Sequence, residues 1–318
     1  MYCVFIVNPK AGEKDKKKLI KKMESAFRMS DNFFIKEQTY KKGDAEVIAK
    51  KYAEKYGEQC LIISCGGDGT VHEIANGMCG TKAALIVLPM GTGNDFCKKV
   101  YGTKKLDLHK IMKHFELFSG KPKYDIKPID LIDVNGVKCI NVFSFGFDTK
   151  VETMGRKIAE KAPQLSSHAY DIAAGAALFT NMKYKINMKL DTVDMYGNVG
   201  KFDKTIDYTL LALCNGSYYG GGFCPALESK LDDGVLEVCY IDAINALQAA
   251  PIIPSFSNGS AHEKFSNKVH MIKMTKGVVS SVDGKEMLGE YDGENFFASE
   301  VNFEIVPKSL NLCVLKDE

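Results

Sequence analysis

The sequence predicts an α/β protein in two domains, the first built on a parallel sheet and the second mainly antiparallel β, and three observations carry that reading. At 318 residues, 45% of them hydrophobic and 26% charged, the chain can bury more than one domain's core. Up to about residue 95, apolar strand-like runs alternate with helical segments, the pattern of a parallel sheet with helices on both faces. From about residue 129 the texture changes to closely spaced short runs separated by turn residues, the pattern of antiparallel strands. The boundary is placed near Lys127-Pro128.

YCVFIVN (2–8) reads as a buried strand feeding the turn Asn8-Pro9-Lys10-Ala11-Gly12. EKDKKKLIKKMESAF places Leu19, Ile20, Met23 and Phe27 on one face of a helix; its lysines form a solvated face, or one that leans on anionic lipid. NFFIKEQT (32–39) is a strand, GDAEVIAKKYAEKYG a helix, CLIISCGG a strand and TVHEIANGMCG a helix. ALIVLPMGTGND closes a further strand on a second glycine loop. Ligands of such sheets bind beyond the carboxyl ends of the strands, and these conspicuous loops all lie there. In the second part IDLIDVN, KCINVFSFG, YKINMKLDTV, DYTLLALCNG, GVLEVCYI, KVHMIKMTKGVVSSVDG and VNFEIVP read as strands, interrupted by helices near 150–180 and 242–250.

A formal charge of +2, from 42 basic and 40 acidic side chains, makes no electrostatic case for a nucleic-acid partner. Ten scattered cysteines with no CxxC pair read as buried thiols. The start, MYCVFIVNPKAG, has its apolar stretch before its lysines and too short for a signal peptide, and no segment approaches the roughly 18 apolar residues of a membrane span. The expectation is a cytoplasmic protein that touches a membrane from one side at most.

LIISCGGDGTVHEIANGM (61–78) poses the sharpest chemical question, because Asp68 sits in a glycine turn suited to phosphate. Phosphate repels a carboxylate, so either a metal ion mediates or Asp68 caps the helix. GxxxxGK[ST] is absent, GTGNDF lacks the last glycine of GxGxxG, and neither HRD nor DFG occurs, so Walker-type, dinucleotide-binding and protein-kinase loops are excluded. NPKAG (8–12), GGDGT (66–70) and GTGND (91–95), at successive strand ends, instead form a candidate polyphosphate site. Thr70 and Thr92 add hydroxyl donors there, and Thr39 lies at a further strand end.

YDGENFF (291–297) holds candidates for a reacting centre: on an extended segment Asp292 and Glu294 face the same way, and a carboxylate that accepts a proton assists attack by a hydroxyl. The alternative is a D-G hairpin turn, the reading given to SVDGKEM (282–287). KLDDGVLEV (230–238) reads as a turn between strands, and GGGF (220–223) as a close backbone approach. His72 is read as packing or nucleotide contact, no His/Cys cluster has zinc spacing, and Ser166-Ser167-His168 lacks a GxSxG elbow.

LIISCGGDGTVHEIANGM, LPMGTGNDF, NVFSFGFDTKV, NGSYYGGGFCPALESKLDDGVLEV and YDGE, in this order and spacing, closely resemble the diacylglycerol/lipid kinase family, especially its soluble bacterial members, over nearly the whole chain. GGDGT alone also suits NAD kinases and phosphofructokinases; the later glycine and DGE motifs favour lipid kinases. The resemblance implies a NAD-kinase-like α/β domain over 1–128, completed by 307–318, and a β-sandwich-like domain over 129–306, with the site in the cleft between them. It implies ATP contacts at Asn8, Pro9, Lys10, Ala11, Gly12, Thr39, Gly66, Gly67, Asp68, Gly69, Thr70, Val71, His72 and Thr92. It matches Asp68, Asp95 and Asp130 to a carboxylate, water and Mg²⁺ network, places the family's reacting acids at Asp292 and Glu294, and implicates Lys230, Asp233 and Val235 in a structural Mg²⁺ site.

The activity implied is ATP-dependent phosphorylation of a lipid hydroxyl, diacylglycerol to phosphatidic acid, in phospholipid biosynthesis. A sphingoid-base or other lipid-alcohol kinase, and a nucleotide-sensing module without turnover, are the alternatives. The resemblance also implies a lipid-alcohol substrate at the inner membrane face, reached by peripheral contact, and admits a homodimer.

Overall fold

The structure, a computed structural model, describes residues 1–11, 16–162, 164, 169–178 and 180–315. It divides into two compact units, Met1–Leu131 with Val306–Glu318, and Ile132–Ile305.

In the first unit β1 (Tyr2–Val7), α1 (Lys16–Phe27), β2 (Phe33–Gln38), α2 (Asp44–Tyr56), β3 (Cys60–Cys65), α3 (Asp68–Met78) and β4 (Ala84–Val87) alternate. The strands are parallel in the order β2-β1-β3-β4. Beyond β4, Asn311 and Leu312 of β14 (Glu300–Val314) pair in parallel with Ala84 and Leu85. Every residue of β3 and β4 is buried, which central strands covered on both faces require. Ile20, Met23 and Phe27 of α1 are buried at helical spacing, against Phe5, Leu61 and Ile63.

Two helices that the sequence reading did not contain follow β4: α4 (Asp95–Val100) and α5 (Leu108–His114). Each spans two turns or fewer, too few for a periodic signal; α5 is held by its cap, Asp107 accepting Lys110 N–H at 3.0 Å, and sinks Ile111 and Met112 into the core.

β5 (Asp125–Val134) leads into the second unit, and β6 (Val137–Cys139), β7 (Val142–Gly146), α6 (Phe147–Lys161), α7 (Ala169–Ala177), β8 (Tyr184–Val193), β9 (Val199–Cys214), β10 (Leu236–Asp242), α8 (Ala246–Ile252), α9 (Ala261–Lys264), β11 (Val269–Ser281), β12 (Met287–Tyr291) and β13 (Glu294–Ala298) follow. The order β13-β12-β7-β9-β10-β11 is antiparallel throughout, with β8 pairing β9 and β11. Side chains alternate across this sheet: Leu211 and Leu213 of β9 enter one core, while Leu210, Ala212 and Cys214 enter a second. The second core is closed by Ala177 of α7, Ala249 and Ile252 of α8 and the following Phe256.

None of the ten cysteines is in a disulfide and nine are buried, and burial pushes the Cys3 and Cys60 thiols up to about 12. Among the described residues no helix is long and apolar enough to cross a membrane.

Candidate active site

In the first unit, β1 and β2 leave the sheet's centre on one side and β3 and β4 on the other. The crevice between the carboxyl ends of β1 and β3 is where open α/β sheets take ligands. Asn8 stands at one lip. Its N–H donates to Cys65 O (3.2 Å), its Nδ2 donates to Thr70 Oγ1 (3.2 Å), and its Oδ1 accepts from Lys10 N (3.0 Å). Pro9 and Lys10 are exposed and Ala11 is partly buried beside this anchor. Gly12 lies outside the described residues. Thr39 is buried at the end of β2, its N–H donating to Val7 O at 3.0 Å.

The helix opens earlier than the sequence reading placed it, at Asp68, inside GGDGT, with Thr70 and Val71 N–H both donating to Gly67 O at 2.9 and 3.1 Å. Two glycine loops meet here backbone to backbone. A Cβ on Gly91 would lie 2.4 Å from Gly67 Cα, and one on Gly66 2.3 Å from Thr70 Oγ1, so only glycine fits. Gly69 and Asp68 are partly buried, Thr70, Val71 and His72 are buried, and Thr92 is exposed. The second loop is self-closed: Asn94, with φ 51°, accepts from Gly91 N at 2.7 Å and donates to Gly91 O at 2.8 Å.

Asp68 and Asp95 converge over Gly93, where an added Cβ would lie 3.0 Å from Asp68 Oδ2 and 3.5 Å from Asp95 Oδ2. Asp68 is a cap, but of a different helix from its own: Oδ1 accepts from Phe96 N (3.2 Å) in the first turn of α4. Lys98, which the sequence reading missed, donates to Asp95 Oδ1 at 2.6 Å, and both are buried. Its signal was available, since an acid and a lysine three apart share a helix face. Asp130 is 1% exposed and accepts from Lys308 N at 2.8 Å, a backbone bond to the C-terminal strand. Two carboxylates at one loop suit Mg²⁺, which keeps several waters and binds through one or two carboxylates plus substrate phosphates. Among the described residues no three His, Cys, Asp or Glu side chains form a metal-holding group.

In the second unit, Asp292 and Gly293 connect β12 to β13 with φ of 49° and 87°, the two left-handed residues of a tight hairpin. The expectation that Asp292 and Glu294 share a face of an extended segment is therefore corrected: the turn reverses the chain between them. The Asp292 side chain is buried. Its Oδ1 accepts from Asn141 N (2.9 Å) and Val142 N (3.3 Å), with the Cys139 thiol at 3.2 Å, and its Oδ2 accepts from Ile140 N (2.8 Å). Glu294 is partly buried at the start of β13.

The lookalike Asp283 forms no such clamp. It is exposed and accepts from Ser281 Oγ and from Lys285 N and Nζ, and the Lys285 ammonium holds its carboxyl well below the usual range.

The same hairpin rests on an acidic cluster that sequence reasoning did not find. Glu290, buried on β12, accepts from Gly293 N at 2.6 Å, while Arg156 of α6 donates to Gly293 O and to Glu152. Asn295 Nδ2 donates to Thr153 Oγ1 at 3.0 Å, and Tyr219 OH to Asp148 Oδ2 at 2.8 Å. Burial pushes the Asp148 carboxyl up to about 6 and raises Glu152. Burial first, then the neighbouring Glu152 and Asp148, holds Glu290 well above the usual carboxyl range. Asp148, Glu152 and Arg156 stand four apart on one helix, a pattern legible in sequence, but Glu290 joins them only through the fold.

Lys230 and Asp233 are exposed and Val235 is partly buried; Asp233 Oδ1 accepts from Val235 N at 3.3 Å across the left-handed Gly234. Gly220, Gly221 and Gly222 all have positive φ, and nothing lies within 4 Å of a Cβ built on Gly220 or Gly221. Their positive φ values favour glycine at all three positions. Ser166, Ser167 and His168 lie outside the described residues.

Comparison with known proteins sets this geometry in context. The family described as the diacylglycerol kinase catalytic domain matches residues 2–124, and the YegS C-terminal NAD kinase beta sandwich-like domain matches residues 141–314. The chain is 29% identical over 305 residues to a Bacillus subtilis protein named diacylglycerol kinase, covering 91% of this chain and 88% of that one. It is 26% identical over 279 residues, 86% of this chain and 83% of the other, to a Pseudomonas putida protein named "Probable lipid kinase YegS-like". A crystal structure of a diacylglycerol kinase from Bacillus anthracis shares the fold, with a TM-score of 0.66 at 21% identity over 98% of this chain and 96% of that one.

Proposed function

The chain belongs to the diacylglycerol/lipid kinase family, and from that premise we propose that it transfers the γ-phosphoryl group of ATP to a lipid hydroxyl, with diacylglycerol as acceptor and phosphatidic acid as product. The observation that carries the nucleotide half is the backbone contact of Gly67 with Gly91, locked to Asn8 through Thr70. It gathers three strand-end loops into one cradle whose N–H groups and hydroxyls suit polyphosphate.

In this reading Asn8 to Gly12, Thr39, Gly66 to His72 and Thr92 bind and orient ATP. Asp68 and Asp95 hold Mg²⁺, which when bound neutralises phosphate charge. Lys98 fixes the Asp95 carboxylate by its 2.6 Å bond. Asp130, which accepts from Lys308 N, ties β5 to the C-terminal strand. Lys230, Asp233 and Val235 serve a separate structural cation through oxygen ligands.

Between the two hairpin acids, the hydrogen bonds favour Glu294 as proton acceptor. A carboxylate offers about four acceptor positions, and three backbone N–H groups occupy the oxygens of Asp292. Asp292 therefore holds the hairpin, and Glu294 takes the hydroxyl proton as its oxygen bonds to phosphorus. Radiolabelled transfer from ATP to diacylglycerol in mixed micelles tests the function. Labelled phosphatidic acid is expected, and no transfer to this or any other lipid alcohol with Mg²⁺ present overturns it.

A further inference from the structure

Two helices of the first unit open at the carboxyl edge of its sheet, α2 after β2 and α3 after β3, and they open differently. The start of α2 is taken by carboxylates of this chain. Asp44 Oδ2 accepts from Tyr40 N at 2.8 Å and from Lys41 N at 2.9 Å, while Glu73 of α3 accepts from Gly43 N through Oε1 at 2.8 Å and from Ala45 N through Oε2 at 3.0 Å. Donors that would otherwise cradle a phosphate there already serve two acids, which repel it. α3 opens instead on the glycine turn that packs against Gly91.

Glu73 is partly buried one turn beyond Thr70, on the helix that carries this phosphate turn. Gly77, a further turn along the same face of α3, seats α2 without slack: a Cβ there would meet Glu46 O at 2.3 Å and Lys50 N at 3.0 Å. The stretch from Thr39 to Gly43 is thus fixed at both ends, to β1 by Thr39 N donating to Val7 O at 3.0 Å and to α3 by Glu73. We propose that Glu73 is a positioning residue for ATP, holding the Thr39–Gly43 turn against the nucleoside half of the ligand while the glycine turn at the head of the same helix holds the phosphates. The inference rests on the ATP reading of these loops and deepens it, because one helix then sets the distance between the two halves of the nucleotide. Glu73 itself touches no ligand; its effect passes through the backbone of Gly43 and Ala45. Tyr40, exposed on the turn, gives it an aromatic ring that suits stacking on a base.

Calorimetric titration with Mg²⁺-ATP and with Mg²⁺-tripolyphosphate, which has the phosphate chain without the nucleoside, reads the two halves apart. Wild type is expected to bind both, ATP the more tightly. Glu73→Gln keeps one acceptor and turns an amide toward the other N–H, and is expected to weaken ATP about tenfold at unchanged tripolyphosphate affinity. Glu73→Ala shifts ATP further in the same direction, and the near-isosteric Gln serves if Ala prevents folding. Glu46→Gln removes an exposed acid from the same first turn of α2 without touching the clamp, and is expected to leave both affinities at wild-type values. In turnover the loss falls on the ATP KM, with kcat at saturating ATP unchanged. Hydrogen exchange adds a readout apart from activity: ATP, and not tripolyphosphate, is expected to slow exchange over residues 40–45, and Glu73→Ala to remove that difference.

Equal loss of ATP and tripolyphosphate affinity in Glu73→Gln, the result of a general disturbance of α3, overturns the proposal. Wild-type ATP affinity in Glu73→Ala, or equal protection of residues 40–45 by the two ligands, overturns it as well. Phosphate transfer to lipid by a Glu73→Ala variant with the wild-type ATP KM sinks the positioning role and leaves the kinase; an ATP-specific loss of binding in the Glu73 variants, with no transfer by wild type to any lipid alcohol, does the reverse.

Discussion

Replacing Asp292 with Asn separates a structural clamp from a proton acceptor. Asn tolerates the left-handed φ of 49°, so the backbone adds little cost. The amide keeps one oxygen for Asn141 and Val142 N–H, but its nitrogen then faces the Ile140 N–H that Oδ2 accepted at 2.8 Å. One hydrogen bond to a charged group is lost, worth about 1.5–3 kcal/mol, and two others weaken from charged to neutral. A destabilisation of about 3 kcal/mol follows, which for a unit the size of Ile132–Ile305 lowers the unfolding midpoint by about 6–12 °C. Calorimetry of wild type and variant checks the shift, and Glu294→Gln, measured in parallel, is expected to lose turnover at an unchanged midpoint. An Asp292→Asn variant that melts with wild type yet does not turn over refutes the clamp and returns the proton to Asp292. Wild-type rates in Glu294→Gln remove that residue from the role.

Asp68→Ala is expected to lose turnover and alter the Mg²⁺ dependence of what remains, with about 1 kcal/mol of cap energy lost at Phe96 N–H; a Mg²⁺ titration identical to wild type leaves only the cap. Gly91→Ala places a Cβ 2.4 Å from Gly67 Cα and is expected to weaken ATP binding at least tenfold by calorimetric titration. Gly175→Ala, with nothing within 4 Å of the new Cβ on a helix, leaves ATP affinity unchanged and serves as control. The acidic cluster makes the second unit pH-sensitive. Asp148 binds its proton more tightly folded, with its value near 6, than unfolded near 3.8, so stability falls as pH rises across that window and continues to fall while Glu290 deprotonates. Urea midpoints at pH 4.5 and 7 check the sign, and Asp148→Asn flattens the lower part of the slope.

The first unit was legible because its signals are local. Each of β1, β3 and β4 is an apolar run stopped by a glycine or proline turn, and Ile20, Met23 and Phe27 advertise their helix by spacing alone. α4 and α5 were not legible, because helices of two turns or fewer carry no period and depend on a cap and on tertiary burial. Which group each site acid bonds was equally hidden: Asp68 caps α4, 28 residues on, and Asp130 meets Lys308, 178 residues on. Motif spacing names such residues without saying what they touch.

The hairpin shows why the distinction matters for mechanism. YDGE and SVDG look alike in sequence, yet Asp292 is buried under three backbone donors while Asp283 lies exposed beside a lysine. The difference comes from the entry to β7, whose Ile140–Val142 amides reach one turn and not the other. Glu290 compounds it: pairing with β7 opposite Ser144 turns its carboxyl toward α6, among acids from another element, and ties it to Gly293. A proton acceptor at Glu294 then inherits its position from groups distant in sequence. Changes at Glu290 or Arg156 should accordingly lower kcat with little effect on ATP KM, measured by initial rates at saturating lipid; an unchanged kcat in both Glu290→Gln and Arg156→Ala would show that the brace does not position the hairpin.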